Sequence, residues 1–286
     1  LSHMLEPSHV AITPDSKRAF VNCQVNNTLV EVNLENVLSG GDNVITGAYG
    51  FGTRNMGTGS GFDGKDDGEA LLEVPSSETI LGWYQPGDIE IAVSGQKTIL
   101  LTANEGMPSL NISGEEDFTE YNTGEYSGLN LDSKYGYGAD GSGVPYVFGS
   151  RSFGIWEITT SGTLNHLYDS GSLIEETLAE LMPEYANSVK STYDSGDSAS
   201  LSRGPEPSGI AFGTLKEQEI LIVSLEGMGG SMIFDLSDWD DPSNLSASYQ
   251  AYATNRDFQN PSMNQCLFNH LGAKDVLFLH STVTDN

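Results

Sequence analysis

"EPSHVAITPDSKRAFVNCQVNNTLVEVNL", residues 6–34, and "EPSGIAFGTLKEQEILIVSLEGMGGSMIFDL", residues 206–236, are two copies of one plan. Each opens on Glu-Pro-Ser. A short apolar strand, a polar turn, a second apolar strand and a polar break follow, and a third strand ends in Asn/Asp-Leu. From Phe20 and from Ile222 the two align without a gap for about fifteen residues. The apolar runs are rich in Val, Ile, Leu and Phe and are bounded by Gly, Asn, Asp and Ser, which is how strands read. A repeated unit of three or four antiparallel strands is a propeller blade, short of core alone and completed by its neighbours. The expected fold class is all-β, a β-propeller.

Weaker copies extend the pattern. "QPGDIEIAVSGQKTILLTANEGMPSLNIS" starts at Gln85, and "NPSMNQCLFNHLGAKDVLFLHSTVTDN" starts at Asn260 and stops after its second strand. "VPYVFGSRSFGIWEIT", from Val144, reads as a second and third strand only. That gives about five recognisable blade units, with an incomplete seven-bladed ring as one reading. One helix is expected, an insertion at residues 172–190, with Ser172 and Glu175 as a capping box and Pro183 kinking or ending it. Residues 47–70 and 113–143 are Gly/Asp-rich and read as long loops. "LSHM" at 1–4 reads partly as a vector remnant, which leaves 5–286 as a single propeller domain.

Charge bounds the partners. The chain of 286 residues has 40 acidic and 12 basic residues, a net charge of −28. Nucleic acid and anionic lipid are repelled, because binding them needs Lys and Arg to displace counterions. Divalent cations are tolerated, and solubility in a saline medium explains the same balance. No apolar run is long enough for a transmembrane helix. The two cysteines, Cys23 and Cys266, allow at most one bridge joining the ends. Sequons at Asn26, Asn111 and Asn244 are glycosylation candidates in a secreted setting.

Seven segments in order, "EPSHVAITPDSKRAFVNCQVNNTLVEVNL", "YQPGDIEIA…LLTANEG", "FGSRSFGIWE", "YDSGSLIEETLAELMPEY", "RGPEPSGIAFG", "LEGMGGSMIFDL" and "NRDF", resemble the choice-of-anchor I proteins across nearly the whole chain. The resemblance implies a secreted or surface-attached β-propeller. The family includes bacterial proteins labelled alkaline phosphatase-like and the mesenchyme-specific cell-surface glycoproteins linked to biomineral formation. Its pattern carries further blades before "EPSHVAI" and a third strand after "LFLHSTVTDN". The resemblance therefore implies the later part of a propeller, either a fragment or a ring completed by a partner chain. Open propeller edges would invite pairing with another copy.

Repeats put equivalent positions on one face of the ring. The polar residue after the second strand is Gln24, Glu105, Arg151 and Glu226, and Thr282 in the last copy; the strand start gives Glu6, Gln85 and Glu206, with Asp88 close behind. Asp88, Glu105, Glu206 and Glu226 would then ring the central channel beside Arg151. Carboxylates buried together need a positive partner. Ca²⁺, with its taste for oxygen ligands, is one; Arg151 is another, either as internal counter-charge or as an anion ligand. Backbone hydrogen bonding and loop capping explain the same residues without a ligand. Asp63, Asp66, Asp67 and Glu69 in "FDGKDDGE" could wrap Ca²⁺, although the EF-hand template fails, and a solvated acidic turn is the plainer reading. No G-x-S-x-G elbow, Walker A loop or HExxH motif is present.

The expected function is that of a secreted or cell-surface acidic propeller that binds Ca²⁺ or a mineral surface as a scaffold or adhesion protein. The rivals are a metal-dependent phosphomonoesterase, with Arg151 on the phosphate and Glu206 among the catalytic set, and a propeller fragment closed by a partner.

Overall fold

The computed structural model describes residues 5–279 except 77, 111–113, 115, 123, 136–142, 191–195, 240, 242 and 259–271. The first repeat forms β1 (His9–Ile12), β2 (Arg18–Cys23), β3 (Thr28–Asn33), a one-turn helix α1 (Leu34–Ser39) and β4 (Ile45–Gly50). Next come β5 (Thr53–Asn55), β6 (Leu81–Trp83), β7 (Asp88–Ser94), β8 (Lys97–Ala103), β9 (Phe118–Glu120), β10 (Asn130–Asp132), β11 (Tyr146–Val147), β12 (Phe153–Ile158) and β13 (Leu164–Asp169). Helix α2 (Leu173–Leu181) leads to β14 (Pro207–Leu215), β15 (Gln218–Leu225), β16 (Ser231–Ser237) and β17 (Ser246–Ala253).

Three antiparallel four-stranded blades result, in the orders β1-β2-β3-β4, β7-β8-β12-β13 and β14-β15-β16-β17. Strand β7 lies between β1 and β14, so the inner strands line up side by side in a propeller-like fan. The middle blade is buried on both faces. Ile89, Ile91, Leu100, Trp156 and Ile158 share one core with Phe20, Leu29 and Tyr49 of the first blade. Ala92, Ile99, Leu101, Phe153 and Ile155 share another with Ile210, Leu221, Val223, Met232 and Phe234 of the third. Burial on two faces explains why "TILLTA" and "FGIWEI" do not alternate.

The blade plan differs from the sequence reading in one respect. "FGIWEI" is a third strand, as expected, but of the blade opened at Gln85, where it pairs with β8, and not of a unit opened at Val144. The 49 residues between them form an insertion, and β9, β10 and β11 join β5 and β6 in a separate five-stranded sheet with one parallel pair, β6–β11. The stretches 47–70 and 113–143 therefore carry strands rather than loop alone. Most of the last unit lies outside the described residues; its residues 272–279 run beside β14, with Phe278 against Gly213.

The helix is shorter than expected. It ends at Leu181, two residues before Pro183, because a residue preceding proline is pushed out of the helical region. The expected capping box is absent. Ser172 makes no cap hydrogen bond; its hydroxyl donates to the Gly61 carbonyl at 2.7 Å and accepts from Arg54 at 3.2 Å. Glu175 instead turns inward as a partner of Arg151. Ile174 and Leu178 seat the helix in the core between the second and third blades.

Phe153 sits at that seam with its ring 5.0 Å from that of Phe234. Phe153→Ala is expected to lower unfolding free energy by about 3–5 kcal/mol in urea titrations. A loss below about 1 kcal/mol would mean that the blades are not packed at this seam.

Candidate functional site

The polar residues that follow the second strand of each blade do converge. Gln24 Nε2 of the first blade donates to Glu105 Oε2 of the second at 2.9 Å. Glu105 in turn faces Glu226 of the third. Glu206 completes a triad of buried glutamates. Their backbone is held by matched hydrogen bonds, Gly106 N–H to the Gln85 carbonyl at 3.1 Å and Glu226 N–H to the Glu206 carbonyl at 2.8 Å.

Two local features fix this geometry. Gln85 and Glu206 both have positive φ, 39° and 53°, immediately before a proline. Such backbone costs on the order of 1–3 kcal/mol and persists only where the surroundings over-determine it. At Gln85 the side chain brackets Met107, accepting from its N–H at 3.2 Å and donating to its carbonyl at 2.9 Å. At Glu206 the same position carries a charge. Behind Glu105, Gly106 and Gly149 bring two backbones together so closely that a Cβ on either would lie 2.3 Å from the other segment.

The cation at the centre is Arg203, not Arg151. Arg203 Nη2 lies 2.8 Å from Glu206 Oε1, and its Nη1 lies 3.6 Å from Glu105 Oε1 and 3.1 Å from the Gly106 carbonyl. Glu226 is paired with Lys190, and with Lys274 at 3.4 Å. Burial, opposed by Arg203 and Gln24 and reinforced by the neighbouring glutamates, lifts Glu105 to about 7. Glu206 is raised for the same leading reason, against the pull of Arg203. Burial works against charge on Glu226 too, but Lys190 and Lys274 hold it below the ordinary carboxylate range. Near neutrality Glu105 is therefore the member of the group that takes up a proton.

Asp88 stands apart from this group. Its carboxylate accepts from the Ile89 and Ile210 N–H groups at 2.7 and 3.1 Å and lies 4.0 Å from His9. Burial raises its pKa. Arg151 is fully buried in a different knot. Its guanidinium meets Glu175 at 2.9 Å, donates to the carbonyls of Asp63, Ser200 and Ser202, and lies 5.0 Å from the centre of the Phe62 ring. That knot ties the 51–75 segment to α2 and to residues 199–202.

The acidic loop divides. Asp63 is buried in the Arg151 knot and lifted to about 8 by burial, with Glu175 and Asp197 adding to it. Asp66, Asp67 and Glu69 are exposed. Among the described residues no set of three or more His, Cys, Asp or Glu is arranged to hold a metal ion. The charge of the converging glutamates is met by side-chain cations. Cys23 is buried, and Cys266 and Asn111 lie outside the described residues. Asn26 accepts from Glu6 N–H at 2.8 Å, and Asn244 is exposed beside Asp241.

Arg203, Lys190 and Lys274 went unread in the sequence. Only Arg203 left a local signal, the i, i+3 spacing to Glu206 inside "RGPEPSG". Lys190 and Lys274 are brought in from distant segments.

A fan of antiparallel blades with a polar, charge-paired inner mouth defines the class, a propeller-like β protein. The chain belongs to the choice-of-anchor I domain family, whose model matches residues 1–239. Gigasin-3a of Magallana gigas is 31% identical over 113 residues, 38% of this chain and 39% of that protein. The chain thus spans about two-fifths of the length of this curated relative. Among solved structures, hydrazine synthase of Kuenenia stuttgartiensis aligns over 82% of this chain and 78% of that one, at 12% identity and a TM-score of 0.18, too slight a likeness to bear on fold or activity. Family membership points to a secreted or surface protein. Among the described residues no helix is long and apolar enough to cross a membrane.

The titrations have a signed consequence. Glu90 and Glu105 sit at about 7 and Asp63 at about 8, above their ordinary values of 4.5 and 3.8. The folded chain then holds more protons than the unfolded one between about pH 4 and 8, so stability falls as pH rises through that window. The melting temperature is expected to be higher at pH 5 than at pH 8. Arg203→Met should cost about 3–5 kcal/mol at pH 8 and clearly less at pH 5, where Glu105 and Glu206 are more readily neutral. An equal loss at both would assign Arg203 to packing alone.

Proposed function

We propose that this protein is a non-catalytic scaffold or adhesion module of the cell exterior, whose exposed carboxylates engage divalent cations or a mineral surface collectively. One observation carries this reading. The convergent glutamates are compensated internally by Arg203, Lys190 and Lys274, while the chain as a whole keeps 40 acidic residues against 12 basic ones. The uncompensated charge is therefore spread over the surface, as at Asp66, Asp67 and Glu69. Diffuse charge of this kind attracts hard cations weakly and with strong sensitivity to salt.

A phosphomonoesterase would need a group free to hold phosphate. Arg151 is fully buried and its guanidinium is engaged by Glu175 and three carbonyls. Arg203 is engaged by two glutamates.

Calorimetric titration with Ca²⁺ at pH 8 is expected to show several weak sites with dissociation constants of about 0.1–1 mM or weaker, suppressed by added NaCl. The same samples should not turn over p-nitrophenyl phosphate. A single tight stoichiometric site would overturn the collective reading. Turnover that disappears in a folded Glu206→Gln variant would replace it with the hydrolase.

A further inference from the structure

The knot around Arg151 holds more acceptor oxygens than its donors can satisfy. Asp63, Glu175, Asn187, Asp197 and Ser200 are each at most 3% exposed. Asn187 joins three of the others. Its Nδ2 lies 2.9 Å from Ser200 Oγ, 3.1 Å from Glu175 Oε1 and 3.4 Å from Asp63 Oδ2, three acceptors for two N–H groups. Ser200 Oγ in turn donates to Asp63 Oδ2 at 3.2 Å.

The neighbouring donors are spent elsewhere. The two Nη groups of Arg151 go to Glu175 Oε1 and to three carbonyls. The N–H groups of Asp67 and Gly68 both go to Asp197 Oδ2, at 2.7 and 2.6 Å. Glu175 Oε2, Asn187 Oδ1 and Asp197 Oδ1 are left buried with no donor. Arg151 Nε finds no acceptor either, so the guanidinium does not turn its remaining N–H on them. A native interior satisfies its buried polar atoms, and each exception calls for an explanation.

We propose that this cluster is a structural site for one divalent cation of the Ca²⁺ type, held by oxygens of Asp63, Glu175, Asn187 and Ser200. Charge favours a divalent ion. Three carboxylates, those of Asp63, Glu175 and Asp197, face the one guanidinium of Arg151, which leaves a formal charge of −2. The donor set favours Ca²⁺. Only two of the carboxylates reach Asn187, and the other ligands are a neutral amide and a hydroxyl, the mixed oxygen set that this cation accepts in irregular geometry. Spacing agrees. A half-turn of the Asn187 amide puts Oδ1 where Nδ2 stands, and its separations of 2.9–3.4 Å are then the edges of an oxygen shell around an ion bonded at about 2.4 Å. The ion would pin the 51–75 segment to α2 and to residues 187–200. It is distinct from the surface cations proposed above. Held by buried ligands, it is carried through purification, and calorimetric titration then reports the exposed carboxylates alone.

Elemental analysis of the whole chain tests this. The protein is incubated with about 2 mM CaCl₂, washed in about 0.5 M NaCl to strip the surface cations, and desalted. The expected result is about one Ca²⁺ retained per chain, and a melting temperature that prolonged EDTA treatment lowers by several degrees. Asp63→Asn keeps the shape of the side chain and should reduce the retained ion at least about tenfold, with a melting temperature indifferent to EDTA. Asn187→Ala should do the same, and either variant suffices if circular dichroism shows the other unfolded. Asp66→Asn, at an exposed position of the same loop, should leave the count unchanged. A wild type that retains no Ca²⁺ overturns the proposal. So does retention undiminished in the folded Asp63→Asn or Asn187→Ala variant.

Discussion

Everything in this molecule hangs on the middle blade being dry on both sides. Its central strands β8 and β12 send Leu100 and Trp156 towards the first blade and Ile99, Leu101, Phe153 and Ile155 towards the third. Neither flanking sheet could stay folded as an isolated four-stranded layer, because one layer has no second surface against which to exclude water. Stacking converts three marginal sheets into two shared cores, and α2 extends the second of them. The 49-residue insertion between β8 and β12 is tolerated because the pairing of those strands is fixed by their side chains and not by the length of the connection.

The same stacking creates the charged mouth. Lining up β1, β7 and β14 brings the residues that leave their partner strands onto one side, so Gln24, Glu105 and Glu226 meet in sequence around the fan. Three buried carboxylates could not remain charged together. The chain resolves this with Arg203 between Glu105 and Glu206, lysines on Glu226, and a proton that settles on Glu105 as the pH falls towards 7. The mouth thus carries its own counter-charges.

Much of the blade pattern was legible in the chain. Strand runs, turns and the Glu-Pro-Ser opening repeat at short range, and each is a local consequence of side-chain alternation and proline geometry. Equivalent positions could also be aligned, which brought Glu105, Glu206 and Glu226 together correctly. What failed was long-range. "FGIWEI" reads as the third strand of a unit opened at Val144 because 49 residues separate it from β8, and no local property of a strand names its partner. Arg151 occupied an aligned position but belongs to the insertion, so repeat logic misplaced it into the mouth. Lys190 and Lys274 meet Glu226 only through tertiary folding. The capping box at Ser172 matched a motif, yet Glu175 is the buried partner of Arg151 and Ser172 makes no cap hydrogen bond.

Native-state hydrogen exchange tests the central claim most directly. Amides of β7, β8 and β12 should be the slowest to exchange and should open together near the global unfolding free energy, with β1 and β4 of the first blade markedly faster. Protection in β1 and β4 equal to or above that of the middle blade, in a dilute monomeric sample, would contradict the account and place the stabilising core elsewhere.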